Sequence, residues 1–194
     1  LYELSTAGND FYNTEAYWAD YAHINSVILD NDQNFICSFR NLDTVIKIDR
    51  TTGDILWKLG GKADEFGLTD AQKFSKQHDA RITSDGYITI FNNGNLENSF
   101  TDGHTSIIKI KLDESAKTIL DYQSFSVNGQ FSSHMGSAQE VDHGKFVVGW
   151  GGRATTNALF SEIDFNTGKI LFEVLSSKTS GLYPDIYKVY KFSY

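Results

Sequence analysis

The sequence predicts an all-β protein, and three observations favour a β-propeller among the all-β folds. Val, Ile, Phe, Tyr and Thr are frequent, and no long segment has helical period. Short apolar strands alternate with turns rich in Gly, Asn and Asp, as in antiparallel sheets. The same order of four strands occurs three times, and His23, His78 and His134 follow one another at intervals of 55 and 56 residues. Four-stranded units with a period of this size predict propeller blades.

The first unit is predicted to contain four strands, with turns after the first and the third of them. The polar run 30–34 between the first two strands is interpreted as a hairpin turn, which accounts for it better than its faint likeness to a calcium-binding loop. A second turn contains Thr52-Gly53. The predicted strands cover residues 21–27, 35–39, 44–49 and 54–59.

The second unit opens with a hairpin over residues 77–94, in which Ser84-Asp85-Gly86 forms the turn. The entry and exit of a hairpin lie at the same end. We therefore expect four polar side chains to lie close together there: His78, Arg81, Asn92 and Asn93. Two further strands, at 105–111 and 117–121, complete this unit. The third unit repeats the layout after His134, with strands at 136–141, 146–150, 158–164 and 169–173.

The three predicted blades, at about 21–60, 77–125 and 133–176, form a single partial propeller domain over residues 1–194. Three blades do not close a ring, because each open face exposes apolar residues and unpaired strand edges. We therefore expect a ring of about six blades, completed by a missing half or by a second chain. Residues 177–194 alternate well and are predicted to include a closing strand that pairs with a blade outside this sequence.

Composition limits the classes of function. The net charge of −8 argues against nucleic acid or an anionic membrane as a partner, because both attract basic surfaces. No apolar run is long enough to span a bilayer. The single cysteine, Cys37, lies in an apolar strand and is predicted to be a buried free thiol. The sequence begins at Leu1 without a signal peptide, which suggests a processed or partial chain.

In a propeller the first strand of each blade lines a central channel, and the polar residues expected around this channel form a site rich in hydrogen-bond donors. If each blade begins at a histidine, the three imidazoles face one axial pocket. Histidine, arginine and asparagine donors stabilise an oxyanion, and a neutral imidazole nitrogen can act as nucleophile or base. Such donors would stabilise charge on a sulfuryl or phosphoryl group in transfer. The candidates are His23, Asn25, Arg40, His78, Arg81, Asn92, Asn93, His134 and Arg153.

The repeated histidines are also compatible with two roles outside catalysis. A recurrent histidine can serve only as a hydrogen bond between blades. Converging histidines can also bind a metal ion, although no carboxylate recurs at a matching ligand position, so no metal site is predicted. His104 and His143 lie in loop or turn positions and are interpreted as surface residues.

Several motifs resemble the arylsulfotransferase (ASST) family, in order and from about residue 21 to the tail. The resemblance implies a six-bladed propeller, usually exported to the periplasm or the cell exterior. It also implies transfer of a sulfuryl group between phenols through a sulfated histidine, without a nucleotide sulfate donor or another cofactor. The motifs are His23-Ile24-Asn25-Ser26-Val27, Ile55-Leu56-Trp57-Lys58-Leu59-Gly60-Gly61-Lys62, Gln77-His78-Asp79-Ala80-Arg81, Ile90-Phe91-Asn92-Asn93-Gly94, Gly136-Ser137-Ala138-Gln139 and Gly149-Trp150-Gly151.

The resemblance assigns roles to individual residues. His23 and His78 match channel histidines that contact the sulfuryl group, and His134 is predicted to be the nucleophile. His78 is predicted to protonate the departing phenoxide. The residues expected to bind substrate oxygens are His23, Asn25, Arg81, Asn93 and Arg153. One departure is that bacterial members carry an arginine soon after the Asn-Gly motif, whereas this sequence has none there; Arg81 or Arg153 would replace it.

The expected function is therefore that of an arylsulfate sulfotransferase acting on an aryl sulfate and a phenol acceptor. Two alternatives belong to other classes: a non-catalytic propeller that binds a ligand or protein, and a metal-dependent propeller hydrolase.

Overall fold

The computed structural model describes residues 20–94, 104–126, 130–152, 158–177 and 186–192. Within them the chain forms three sheets of four antiparallel strands, and each strand pairs with the next along the chain. The first sheet contains β1 (Ile24–Leu29), β2 (Phe35–Phe39), β3 (Thr44–Ile48) and β4 (Ile55–Gly60). The second contains β5 (His78–Ile82), β6 (Ile88–Asn92), β7 (Ser106–Asp113) and β8 (Thr118–Ser126). The third contains β9 (Ser137–Asp142), β10 (Lys145–Gly149), β11 (Ala158–Asp164) and β12 (Lys169–Leu175).

These sheets confirm the predicted all-β propeller fold, and we call them the first, second and third blades. All strands in the described residues lie close to the predicted positions, because apolar runs bounded by turn residues define them well. The three predicted blade ranges each enclose one sheet, except that β8 extends one residue beyond 125. Residues 1–19 lie outside the described residues.

Apolar side chains from facing sheets fill the space between the first two blades. Trp57 and Leu59 of the first blade and Ile90 and Ile108 of the second are almost fully buried in one cluster. The connection between the blades contributes to the same cluster with Phe66, Leu68 and Phe74. Burial of such side chains contributes roughly 1.5–3 kcal/mol each, so this connection is part of the core.

A second core joins the second and third blades. Phe91 lies against Trp150, with ring centroids 6.3 Å apart, and Phe146 packs on Phe165 at 5.3 Å. Gly136 is essential to this packing, because a Cβ there would lie 2.2 Å from Cε1 of Phe91. Its φ of +97° also favours glycine.

The first strands of the blades, which we call the inner strands, lie side by side. A repeated hydrogen bond joins each inner strand to the next. The amide of Ala80 donates to Ser26 Oγ (3.1 Å), and the amide of Ala138 donates to Asp79 Oδ2 (3.1 Å). The acceptors Ser26 and Asp79 therefore occupy equivalent positions in successive inner strands. In the second inner strand the acceptor Asp79 directly precedes the donor Ala80. The residue directly before the donor Ala138, which is Ser137, is therefore the third equivalent residue.

This register corrects the prediction that each inner strand begins at a histidine in the same position. Ser26, Asp79 and Ser137 are 53 and 58 residues apart, so His78 is equivalent to Asn25 and to Gly136. His23 and His134 lie two positions earlier and are equivalent to Lys76, which shares a positive φ with His23 (53° and 51°). The nearly equal histidine intervals arise because unequal connections and bulges compensate one another: β1 and β5 each contain a register shift near their start.

The segment 186–192, which we call the tail, lies along β9 and also contacts β5 of the second blade. Val189 both donates to Ser137 Oγ through its amide (2.9 Å) and accepts from it through its carbonyl (3.1 Å). The amide of Gly136 donates to the Tyr187 carbonyl (3.0 Å), and Lys191 bonds to the Gln139 side chain. Pairing of the tail with a blade outside this chain stays a prediction.

The outer faces of the first and third blades carry apolar residues that contact water. On β1, Ile24 and Val27 are each 51% exposed, and on β12 Phe172 and Leu175 are 55% and 59% exposed. Cys37 is buried as a free thiol, as predicted, and burial raises its pKa. Within the described residues, helices are too short and too polar to cross a bilayer.

Candidate functional site

His78 is the most buried imidazole of the candidate site and has partners for both ring nitrogens. It opens β5 and is 2% exposed. Nδ1 lies 2.7 Å from Asn93 Oδ1 and 3.1 Å from the carbonyl oxygen of Lys76, both acceptors. Nε2 accepts a hydrogen bond from the Met135 amide (3.3 Å). This arrangement requires the proton on Nδ1 and a free lone pair on Nε2, that is, a neutral ring.

The surroundings of His78 keep it neutral. Burial lowers its pKa to about 4, and the positive charge of Arg40 and the nearby His23 act in the same direction, while the hydrogen bond to Asn93 opposes them. Tyr187 of the tail lies edge-on to the ring, with centroids 6.4 Å apart. At neutral pH, His78 therefore holds its proton on Nδ1, where the proton is already donated to Asn93.

Asn93 joins His78 to the segment that carries His134. Its side chain is fully buried, and Nδ2 donates to the carbonyl oxygens of Ser132 (2.7 Å) and Met135 (3.0 Å). Both amide hydrogens are thus used within the protein, while Oδ1 accepts from His78. Asn93 is in a position to orient His78 and the 132–135 segment, and it has no hydrogen left for the substrate oxygens it was predicted to hold.

His134 is half-buried and lies beside two glycines at the edge of the third blade. Its Nδ1 is 2.9 Å from Ser133 Oγ, and its carbonyl accepts from the Gly152 amide (2.9 Å). A Cβ on Gly152 would lie 2.2 Å from His134 Nε2, and one on Gly151 would lie 2.1 Å from the His134 carbonyl oxygen. Only glycines allow this close approach of the chain to the histidine.

His23 and Asn25 lie at the same end of the first inner strand. The Nδ1 of His23 contacts the carboxylate of Asp20, and both side chains are partly exposed. Asn25 donates from Nδ2 to the carbonyl oxygen of Gln77 (2.7 Å), while its buried Oδ1 has no hydrogen-bond partner in the described structure. The bond to Gln77 fixes the backbone directly before His78, so Asn25 also positions the histidine.

Arg81 lies farther along β5 and contacts Asp79 instead of the histidines. Its guanidinium stacks on Tyr190 at 4.4 Å, and Nη1 is 3.5 Å from Asp79 Oδ1. Asp79 is 1% exposed, with a φ of 51°, and accepts from the Tyr190 hydroxyl (2.6 Å). Burial and this hydrogen bond raise the pKa of Tyr190. Sequence reasoning did not count Asp79 or the tail among the site residues, although the His78-Asp79-Ala80-Arg81 motif contains the carboxylate.

A polar cleft of about 380 Å³ lies between the ends of β5 and β9 that are remote from His78 and His134. Arg81 is the one predicted site residue in its wall, and Thr89, also in the wall, has a buried hydroxyl without a hydrogen-bond partner. The other predicted arginine, Arg153, lies outside the described residues. Arg40 is buried and donates to Asn41 Oδ1 (2.8 Å).

The sequence matches a known protein family over most of its length. Residues 2–156 match the arylsulfotransferase (ASST) family, which is most of the 194 residues. The chain belongs to the arylsulfotransferase family. The motifs that predicted this membership include the residues around His23, His78 and Asn93, which the structure places at one end of the inner strands. No curated protein matches the sequence at a significant level.

Three solved structures are similar to this family member at low sequence identity, and the first of them, with a TM-score above 0.5, shares its fold. One is a catalytically inactive virginiamycin B lyase from Staphylococcus aureus with quinupristin: 13% identity, TM-score 0.51, 82% of this chain and 43% of that chain. Another is a protein of unknown function from Bacteroides caccae: 18% identity, TM-score 0.46, 80% of this chain and 47% of that chain. A third is the Dos1 propeller: 13% identity, TM-score 0.48, 79% of this chain and 35% of that chain. The chain thus spans less than half the length of each of these structures.

Proposed function

We propose that this protein is an arylsulfate sulfotransferase that moves a sulfuryl group from an aryl sulfate to a phenol through a sulfated histidine, without a nucleotide donor or a cofactor. The observation that carries the proposal is the hydrogen-bonded unit of His78, Asn93 and Met135. This unit holds the segment of His134 against a buried, neutral imidazole in a member of the arylsulfotransferase family.

His134 is the nucleophile in this proposal, because it is half-exposed while its backbone is fixed by the third blade. A neutral ring nitrogen attacks sulfur, the bond between sulfur and the aryl oxygen breaks, and the phenoxide leaves with that electron pair. The acceptor phenol then attacks the sulfur of the sulfated histidine. Its proton passes to solvent as the bond between histidine nitrogen and sulfur breaks, which restores neutral His134.

His78 acts as a positioning residue in the proposed reaction. Its one proton is on Nδ1 and is donated to Asn93, and its pKa of about 4 leaves few protonated rings at neutral pH. The leaving phenoxide therefore takes its proton from water, in place of the proton transfer from His78 that the sequence predicted. Aryl sulfates with acidic phenols should then be the better donors, because their phenoxides need no acid.

A transfer assay from 4-nitrophenyl sulfate to a phenol tests this function. His134→Ala should abolish transfer, and His78→Ala should lower it by at least about tenfold, a typical cost of misplacing a reacting group. His143→Ala, in an exposed turn, is the matched control and should keep wild-type activity. Full activity in both site variants would refute the assignment.

A non-catalytic channel that binds a ligand or protein is the second candidate. It is favoured by the extent to which the polar atoms of His78 and Asn93 are already satisfied within the protein. Trapping distinguishes the two: mass spectrometry after acid-free quenching should detect an 80-dalton adduct, the expected mass of SO3, on His134 of a sulfotransferase and none on a binding module. Within the described residues, no three His, Cys, Asp or Glu side chains are grouped so that they could hold a metal ion.

The proposed active protein is a closed ring of about six blades. The exposed apolar residues of β1 and β12 are surfaces that further blades, from a missing half or a second chain, would cover. Small-angle scattering of the active species checks this, because a three-bladed particle with full activity would contradict it. We also propose a periplasmic or extracellular location, which rests on the family alone.

A further inference from the structure

The tail occupies the place of a fourth inner strand. Ser26 and Asp79 each accept the amide of the next inner strand, and Ser137 accepts the amide of Val189 in the same way. Val189 is therefore equivalent to the donors Ala80 and Ala138, and Lys188, directly before it, is equivalent to Asp79. This register gives Lys188 a defined position facing the channel, although the tail is more than 100 residues from Asp79 in the sequence.

The side chain of Lys188 extends from the tail to the first and second blades. Its Nζ donates to the carbonyl oxygen of Asn25 (3.1 Å) and lies 3.5 Å from Asp79 Oδ1. Its side chain is 21% exposed. Asn25 belongs to β1 and Asp79 to β5, so the ammonium group lies where these two inner strands and the tail converge.

Asp79 is the shared partner of two cations and does not fully engage either. Arg81 Nη1 and Lys188 Nζ each lie 3.5 Å from Asp79 Oδ1. Both distances are longer than the ~2.7–2.9 Å of a charge-assisted hydrogen bond. The same oxygen accepts the Tyr190 hydroxyl at 2.6 Å, and Oδ2 accepts the Ala138 amide. One carboxylate thus faces two cations, which leaves an excess of one positive charge and spare N–H donors.

We propose that Lys188 and Arg81 together bind an oxyanion in the channel, of the class of inorganic sulfate or the sulfate group of an aryl ester. The ligand accepts one hydrogen bond from the ammonium group and one or two from the guanidinium, while Asp79 and Tyr190 fix both cations. The net charge of −8 does not prevent this, because distant acidic groups are screened beyond about 8 Å at physiological salt. This inference rests on the proposed function for its choice of ligand.

Calorimetric titration with sodium sulfate, at ionic strength kept constant with sodium chloride, tests the site in the whole chain. Wild type should bind saturably, and Lys188→Met should weaken binding about 10-fold to 100-fold, as expected for a lost charge-assisted hydrogen bond. Lys188→Arg should stay within about threefold of wild type, because it keeps the charge. The matched control is Lys191→Met: this tail lysine is 57% exposed, pairs with Glu162 and should leave binding unchanged.

Three results would overturn the proposal: no saturable binding by wild type, unchanged binding by Lys188→Met, or equal losses in the Lys188 and Lys191 variants. Should Lys188→Met fail to fold, the lysine ammonium signals of wild type decide by NMR, because sulfate should shift Lys188 and leave Lys191 in place. The assay measures binding without transfer. Sulfate binding without transferase activity would therefore refute only the proposed function, and transfer with an unchanged KM in Lys188→Met would refute only this site.

Discussion

The first and second inner strands share one backbone register but carry different chemistry. Ser26 and Asp79 both accept an amide from the next inner strand, and the residues before them are Asn25 and His78. In the first blade the pair is an amide and a hydroxyl. In the second blade the pair is an imidazole and a carboxylate, with several additional partners. The comparison shows that a neutral acceptor is enough to join two blades. The charge of Asp79 is used instead in its contacts with Arg81 and Lys188.

The largest expected effect comes from removing the acceptor in each strand. Asp79→Ala should cost roughly 3–5 kcal/mol of unfolding free energy, because it leaves the Tyr190 hydroxyl, the Ala138 amide and two cations without their shared partner. Ser26→Ala should cost about 1 kcal/mol, since only the Ala80 amide loses its acceptor. Urea unfolding at pH 7 measures both. Equal losses would show that the extra contacts of Asp79 contribute nothing.

The second expected effect is a pH dependence of the unfolding free energy. It arises from His78 in the second inner strand and is absent from the first, where Asn25 occupies the equivalent position. His78 has a pKa of about 4 in the folded state, against 6.5 for an ordinary histidine. The unfolded state therefore binds the proton at higher pH. The stability that neutral His78 contributes is complete above pH 6.5 and is lost as the pH falls from 6.5 to 4, by about 3 kcal/mol.

Replacement of His78 by the residue of the first strand tests this assignment. His78→Asn should flatten the fall in unfolding free energy between pH 6.5 and pH 4, and His143→Asn, in an exposed turn, should leave it unchanged. An unaltered slope in His78→Asn would assign the pH dependence to other groups.

A smaller difference is expected between two buried asparagines. Asn93→Ala removes three hydrogen bonds around His78 and should cost roughly 2–3 kcal/mol, whereas Asn25→Ala removes one bond to Gln77 and should cost about 1 kcal/mol. The imidazole nitrogen shifts of His78 provide an independent measurement, since loss of Asn93 should alter its tautomer balance. A His78 signal identical to wild type in Asn93→Ala would contradict the positioning role.

The smallest effect concerns the third inner strand and the tail. Ser137→Ala removes both hydrogen bonds to Val189 and should speed amide exchange in residues 186–192 by about tenfold, with little change in global stability. Ser26→Ala is the control and should not alter exchange in the tail. Protection of Val189 that stays at the wild-type level in Ser137→Ala would show that other contacts hold the tail.

Sequence alone predicted the strands well and their register less well. Phe35–Phe39 and Ala158–Asp164 were predicted with their observed bounds, because apolar side chains and turn residues mark them locally. The equivalence of His78 with Asn25 could not be predicted, since the register shifts near Ile24 and between His78 and Arg81 are not visible in composition. The spacing of the histidines gave a period of 55 and 56 residues. The hydrogen bonds between inner strands instead define the structural repeat, with intervals of 53 and 58 residues.

The candidate site was predicted in part. His78 and Asn93 were expected to meet because they open and close one hairpin, and they are hydrogen bonded. The convergence of Asp79 with Lys188 and Tyr190 depends on contacts across more than 100 residues, which no local pattern encodes. The roles in catalysis and substrate binding predicted for individual residues stay predictions that the transfer assay addresses.

The hydrogen bond that repeats at Ser26, Asp79 and Ser137 limits how this architecture can change. It keeps successive strands level along the axis while the chain between them varies, as the unequal intervals of 53 and 58 residues show. Exposed turns such as 50–53 can therefore lengthen without displacing any group that faces the channel. A single residue inserted into β5 would instead raise or lower every group beyond it relative to its neighbours, and would dismantle the site while leaving the outer sheets intact.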